Sequence, residues 1–252
     1  MAPRTRQGEA GALEDADAAV GAPAILAAIA ALPDRATPAL RSLRRGFSRK
    51  LQGRPPAEVL AAARALLRHG GGEHRFIAYE LIFAHPPALA SLDARGVEEL
   101  GRGMASWGEV DCFACFVAGP AWRNRQVPDA TVLGWAASAD RWWRRAAVVA
   151  TVPLNARSRG GGGDAGRTLA LCAAVVDDRD DMVVKALSWA LRELAKREPR
   201  AVEDFLRDHA ARLAARVVRE VTAKLTTGRK RAATSGAARS PRTSSGAGGR
   251  QT

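Results

Sequence analysis

The sequence predicts an all-α fold, a solenoid of stacked antiparallel HEAT-like helix pairs with a concave basic face. Three observations predict it. Apolar residues recur at helical spacing through nearly all of residues 18–225. Strand signals are weak, and the alternation of strand and helix that builds a parallel sheet is absent. Tryptophan-bearing helices are expected to start near residues 106, 141 and 181, intervals compatible with the roughly 40-residue period of HEAT or armadillo repeats. The longer of those intervals holds residues 157–166, a loop with four consecutive glycines. A solenoid of helix pairs curves and offers one concave face.

Taken in order, residues 1–17 are polar and lack a sustained apolar stripe. Disorder is expected there. A helix is expected over residues 57–69, whose EVLAAARALL run consists of strong helix formers with leucines at helical spacing. The next, over 75–84, should stop before Pro86 and Pro87, because the residue preceding a proline avoids helical backbone. Residues 97–104 follow. Ser106 and Glu109 then have the spacing of a capping box, in which the serine accepts from the third amide and the glutamate reaches back. Further helices are expected over 130–138, 141–152, 168–176, 181–196 and 201–225, the last with a break near Asp208. Residues 226–252 contain no acid and no large apolar side chain, so they cannot bury enough surface to offset the entropy of ordering. They are expected to form a disordered basic tail, serving either as an arm on DNA or as a solubilising segment.

Thirty-nine Lys and Arg against 26 acids give a formal charge of +13 and a pI near 11.1. Such a balance favours an anionic partner, and nucleic acid over membrane. The apolar run at 22–32 is too short to span a bilayer. The acids Glu9, Glu14, Asp15 and Asp17 before it are wrong for a signal peptide. Three cysteines, Cys112, Cys115 and Cys172, do not make a disulfide framework. A cytoplasmic monomer is therefore expected. Cys112 and Cys115 have the spacing of metal or redox ligands, but no second such pair and no paired histidines accompany them. No metal, cofactor or phosphate loop is expected.

Three segments carry the candidate chemistry. In SWGEVD, Trp107 and Asp111 stand four apart and share one helix face. A π surface beside a carboxylate suits a cationic, electron-poor nucleoside; a buried tryptophan above an aspartate that complements the helix dipole is the simpler alternative. In DRWWRRAAVVA, Asp140 is a candidate N-cap, and Arg144 and Arg145 carry planar forks suited to phosphate. In VVKALSWALRELAKREP, Lys185, Trp189 and Arg192 fall at i, i+4 and i+7 as a basic–aromatic–basic stripe, a pattern suited to gripping a nucleic-acid backbone.

Together these segments resemble the AlkD family of DNA alkylation-repair glycosylases, from about Leu40 to about Leu225. The resemblance rests on Trp107-x3-Asp111, on Trp142 to Ala147, and on Lys185 to Glu193 with Pro199 following. It implies that Trp107, Trp189 and Asp111 surround the lesion-bearing deoxyribose, and that Arg145 supports the aspartate and the backbone beside it. It further implies excision of positively charged N3- or N7-alkylated purines from duplex DNA, without a cofactor. The chain departs from the family at Ser106, where paired tryptophans are common, at Ser42, where an aromatic is expected, and at the glycines 160–163. The alternatives are a non-catalytic HEAT-repeat DNA-binding protein and a helical protein-binding scaffold.

Overall fold

A computed structural model describes residues 20–230. They form helices joined by turns, with no strand among the described residues, as the periodicity predicts. None of these helices is long and apolar enough to cross a membrane. The expected disorder of residues 1–17 lies outside the described residues, as does that of the tail beyond residue 230. Thr226 and Thr227 are helical, so the last helix passes the expected boundary by two residues.

The helices are α1 (Ala22–Ala30), α2 (Thr37–Leu51), α3 (Pro56–His69), α4 (Gly72–Phe83), α5 (Pro86–Ala90), α6 (Ala94–Gly101) and α7 (Trp107–Phe113). A π-helical turn, Ala114–Ala118, leads into α8 (Gly119–Arg123), α9 (Asp129–Ala136), α10 (Arg141–Val149) and α11 (Val152–Asn155). A 3-10 turn at Arg157–Arg159 precedes α12 (Ala165–Ala174), α13 (Asp181–Leu194), α14 (Pro199–Asp208) and α15 (Ala215–Thr227).

Local chemistry sets several ends. Pro86 and Pro87 stop α4 as expected, yet they also open α5, because a proline in the first helical turn forfeits no bond. His85 caps α5, its ring Nδ1 accepting from the Ala88 amide at 3.1 Å. The helix expected over 97–104 sits earlier, over 94–101, because Asp93 caps it through the Gly96 amide at 2.7 Å. The break expected near Asp208 falls at His209, between α14 and α15.

Helices α2, α4, α7, α10, α13 and α15 form a row in which each packs against the next, while α1, α3, α5, α9, α12 and α14 back onto it. The row helices begin at residues 37, 72, 107, 141, 181 and 215. Each step is thus 34 or 35 residues, except the one of 40 that contains the glycine-rich loop. Side chains report the same period. Arg44 Nε donates to Glu80, 36 residues on, at 2.9 Å, and Gln126 donates to the Leu89 carbonyl, 37 residues back, at 2.7 Å. The result is an all-α, solenoid-like stack.

The row is held chiefly by apolar burial. In α13, Val183, Leu187, Ala190, Leu191 and Leu194 are all sealed from solvent, each larger one contributing about 1.5–3 kcal/mol. That packing fixes the rotation of α13, and with it the side to which Trp189 points.

Candidate active site

The site begins with the entry to α7. Ser106 Oγ accepts from the Glu109 amide at 3.4 Å. Glu109 reaches back, as the capping box predicts, but to the amide of Ala105 at 2.9 Å rather than that of Ser106. Trp107 therefore stands at the first helical position with 61% of its surface exposed. The alternative of a buried tryptophan is excluded: Trp107 is the most exposed large apolar residue described. One turn on, Asp111 is half-buried. The π turn that follows is wider than an α turn, and Cys115 and Phe116 line the same cavity as Asp111 and Cys112.

That cavity has a volume of about 450 Å³ and brings together Trp107, Asp111 and Trp189, the last from α13. Three side chains assigned by sequence to one site thus meet across two non-adjacent row helices. Phe76 from α4 and Phe116 add aromatic wall, and Phe116 is braced edge-on by Phe83 at 5.4 Å. The cavity also admits three cations that the sequence reading did not assign: Arg35, Arg41 and Arg159. Arg35 is paired with Glu73 at 2.7 Å and Arg41 with Glu80 at 3.3 Å.

Beneath Asp111 lies Arg145, buried to 5% exposure. Its Nε and Nη2 donate to the two carboxylate oxygens at 2.9 and 2.8 Å, and its Nη1 donates to the Met182 carbonyl at 2.5 Å. This parallel fork is the strong form of a charge-assisted bond. Burial pushes the Asp111 carboxyl above the ordinary aspartate value, and the Arg145 guanidinium opposes that rise. Each oxygen keeps a second lone pair for a water or a developing cation. Of the two tasks the resemblance implies for Arg145, the structure places it for the first, holding the carboxylate. For the second, reaching the DNA backbone, the structure shows only that the guanidinium is buried and bonded to Asp111 and the Met182 carbonyl.

Arg144, adjacent in sequence, does not reach the cavity. Its Nε donates to Asp178 at 2.7 Å and its Nη1 to the Ser138 and Ala139 carbonyls at 3.0 and 2.9 Å. It ties one inter-helix loop to another. The expected stripe of Lys185, Trp189 and Arg192 also divides. Lys185 pairs with Asp181 at 2.6 Å and lines a second cavity, about 810 Å³, beside Arg216, Arg219 and Lys230. Arg192 is half-buried, with Nε donating to Ser188 Oγ at 3.2 Å, while that hydroxyl donates to Glu220 at 2.7 Å. Of the stripe, Trp189 alone lines the first cavity. The three share a face but stand at different heights along α13, which packs between α10 and α15, so each side chain reaches different neighbours.

Cys112 and Cys115 lie on the cavity floor with both thiols pushed up to about 12 by burial. They are protonated at neutral pH and act as small apolar groups, as their setting beside Phe113 and Phe116 suggests. Trp143 packs in the core against Phe113 and Trp135, with ring centroids 5.9 and 5.3 Å apart. Trp142, half-buried, lies under the Arg141 guanidinium.

No curated protein matches the chain in sequence. A family model described as DNA alkylation repair enzyme does match, over residues 12–225. This match spans most of the chain and includes every residue of the cavity that joins Trp107, Asp111 and Trp189. The chain belongs to the DNA alkylation repair enzyme family.

Proposed function

We propose that this protein is a DNA glycosylase that hydrolyses the N-glycosidic bond of positively charged N3- or N7-alkylated purines in duplex DNA. The observation that carries the reading is the exposed Trp107 standing over a desolvated Asp111, with Trp189 across the same cavity. A cationic purine is already a good leaving group. When the C1′–N bond breaks, its electron pair leaves with the base, which departs neutral. Positive charge then develops on the deoxyribose ring. Asp111 stabilises that charge, Trp107 and Trp189 confine the sugar through π contact, and a water held by the carboxylate adds to C1′ and releases a proton. Stabilisation of developing charge by a fixed group in a partly dry site is commonly the largest catalytic contribution. Arg145 keeps the carboxylate oriented and ionised.

The partner is duplex DNA carrying an alkylated base, met by one chain without a cofactor. The helical domain over 18–225 does the chemistry in this reading, and the tail over 226–252 adds backbone attraction. The excess of 39 cations over 26 acids supports the partner class. The second reading is a non-catalytic DNA-binding member, favoured by the engagement of both Asp111 oxygens with Arg145. The deciding experiment incubates the protein with duplex DNA containing N7-methylguanine or N3-methyladenine and measures free base. Release by the wild type and its loss in Asp111→Asn support the glycosylase. Tight, salt-sensitive binding without release supports the second reading.

A further inference from the structure

The loop that lengthens one repeat is held rigidly, and what it holds is Arg159. Arg123 Nη1 donates to the Arg159 carbonyl at 2.7 Å and to the Pro153 carbonyl at 3.2 Å. Arg197 clamps the glycines from the other side, with Nη2 on the Gly161 carbonyl at 2.5 Å, Nη1 on Gly162 at 3.1 Å and Nε on Asn155 at 2.7 Å. Asn155 Oδ1 accepts from the Asp164 amide at 3.0 Å. Gly160 turns the chain at φ +76, a left-handed conformation that favours glycine. A Cβ on Gly161 would lie 2.6 Å from the Pro153 carbonyl oxygen. The glycines therefore allow a close backbone approach.

The consequence is a cation delivered to the cavity. Arg159 lines it, with its guanidinium carbon 4.9 Å from the centroid of the Phe116 ring. Arg35 and Arg41, the other cations of that lining, are each matched by a carboxylate. Among the described residues the Arg159 guanidinium has no hydrogen-bond or ion-pair partner. The guanidinium lies over the Phe116 ring and is only partly buried, so its unpaired N–H groups can offer a phosphate two parallel bonds. Arg159 already acts on the Asp111 carboxylate through space, without a direct bond, and a cationic base seated there would be opposed by the guanidinium unless a further anion accompanied it. A phosphodiester adjoining the damaged nucleotide is such an anion.

We propose that the glycine-rich insertion is a substrate-positioning element, and that Arg159 binds a phosphate flanking the nucleotide seated over Trp107 and Asp111. This rests on the glycosylase reading for the position of the nucleotide, but its test does not need base release. The probe is a duplex carrying a stable tetrahydrofuran abasic analogue, with ordinary or uncharged methylphosphonate linkages on either side. Arg159→Ala should bind the ordinary duplex about tenfold less tightly, as expected for losing one charged hydrogen-bonded contact. The salt dependence of log K should flatten by about 0.9, one phosphate's worth. Methylphosphonate at the contacted position should weaken the wild type by a similar factor and Arg159→Ala no further. Arg159→Lys should keep the salt slope but recover only part of the affinity. If the losses from the variant and the neutral linkage multiply at every flanking position, Arg159 does not contact those phosphates and the proposal is overturned. Coupled losses support it even if the wild type releases no base, in which case the glycosylase reading alone falls.

Discussion

Asp111 and Asp177 each meet an arginine from a neighbouring repeat, 34 and 35 residues away, yet the two pairs behave oppositely. Asp177 sits in the exposed turn before α13, where the Arg212 side chain bonds both of its oxygens. That bond draws the Asp177 carboxyl below the usual value. Asp111 is gripped by Arg145 with the same fork, but burial outweighs the guanidinium and its carboxyl rises. The difference is solvent. Water screens the outer pair, which can do little but steady a turn. The inner carboxylate has lost most of its hydration and interacts strongly with any further positive charge brought near it. A desolvated anion already fixed in place is what a developing cationic sugar requires.

Breaking the inner pair from its buried side should have the largest effect. Arg145→Ala leaves a desolvated carboxylate without its cation and an empty donor position at the Met182 carbonyl. Removing one partner of a buried pair typically costs about 3–5 kcal/mol. We expect a stability loss of that order in a urea melt, together with loss of excision. A melt within experimental error of the wild type would show that Asp111 is hydrated enough to stand alone.

Asp111→Asn sharpens the comparison, because it removes charge while keeping one acceptor. Excision should fall at least about 10²-fold, a typical effect of losing one electrostatic stabiliser. Stability should fall by less than the cost of a lost buried bond to the Arg145 guanidinium, about 1–3 kcal/mol, because removing the charge also relieves the desolvation that raises the Asp111 carboxyl. The sequence alone suggests a smaller change, treating Asp111 as an acid near a helix N-terminus. Its partner 34 residues away is named by the family resemblance but not by any local feature of the sequence.

The two pairs also differ in pH response. The Asp111 carboxyl is raised, so its contribution to stability is present below the ordinary value of 3.8 and is lost as pH rises through the higher folded value. On the proposed glycosylase reading, excision needs the ionised form and should decline as pH falls through that same raised value. The lowered Asp177 carboxyl has the reverse sign. Its contribution is present above the ordinary value and is lost as pH falls through the folded one. A pH–rate profile of base release, compared with that of Asp177→Asn, checks the assignment. An acid limb that moves with Asp177 and not with Asp111 would contradict it.

The contrast also marks what can be read from sequence. The starts of α7 and α10 were readable because Ser106 and Asp140 cap them, and α13 proves to open in the same way on Asp180. A cap is local, and so is the apolar stripe behind it. The meeting of Trp107, Asp111 and Trp189 was readable through the resemblance, not through spacing. Arg144 and Arg145 were separable only through the resemblance, because consecutive helical residues differ by about 100° in direction and only packing says which direction is inward. Arg159 was hidden further. It belongs to the glycine-rich loop, whose composition says nothing of where the arginine points, and its place depends on Arg123 and Arg197, which approach from α8 and from beyond α13.

Trp107→Ala should leave stability within about 0.5 kcal/mol, the range for surface substitutions, because the ring is mostly in water. Sequence reasoning left packing as a confounder at this position; exposure removes it. Excision should nevertheless drop sharply, with preference for damaged over undamaged duplex reduced. Wild-type preference in this variant would remove Trp107 from the site. Trp189→Ala remains the less clean test, since that ring packs partly against the core.

The smallest effect is expected from Arg212→Ala, the counterpart of Arg145→Ala on the outer pair. The Arg212 side chain also stands near the Arg179–Arg212 contact, where Arg179 Nη2 donates to the Arg212 backbone carbonyl at 2.8 Å. That bond uses the main chain and survives the substitution. The Asp177 carboxylate, released from its partner, is already in water and needs no other. At neutral pH the melting temperature should fall only slightly and the excision rate should match the wild type, and the loss of stability as pH falls through the lowered Asp177 value should no longer be seen. A destabilisation comparable to that of Arg145→Ala would mean that the turn before α13 depends on its ion pair, and solvent exposure would then not be what separates the two aspartates.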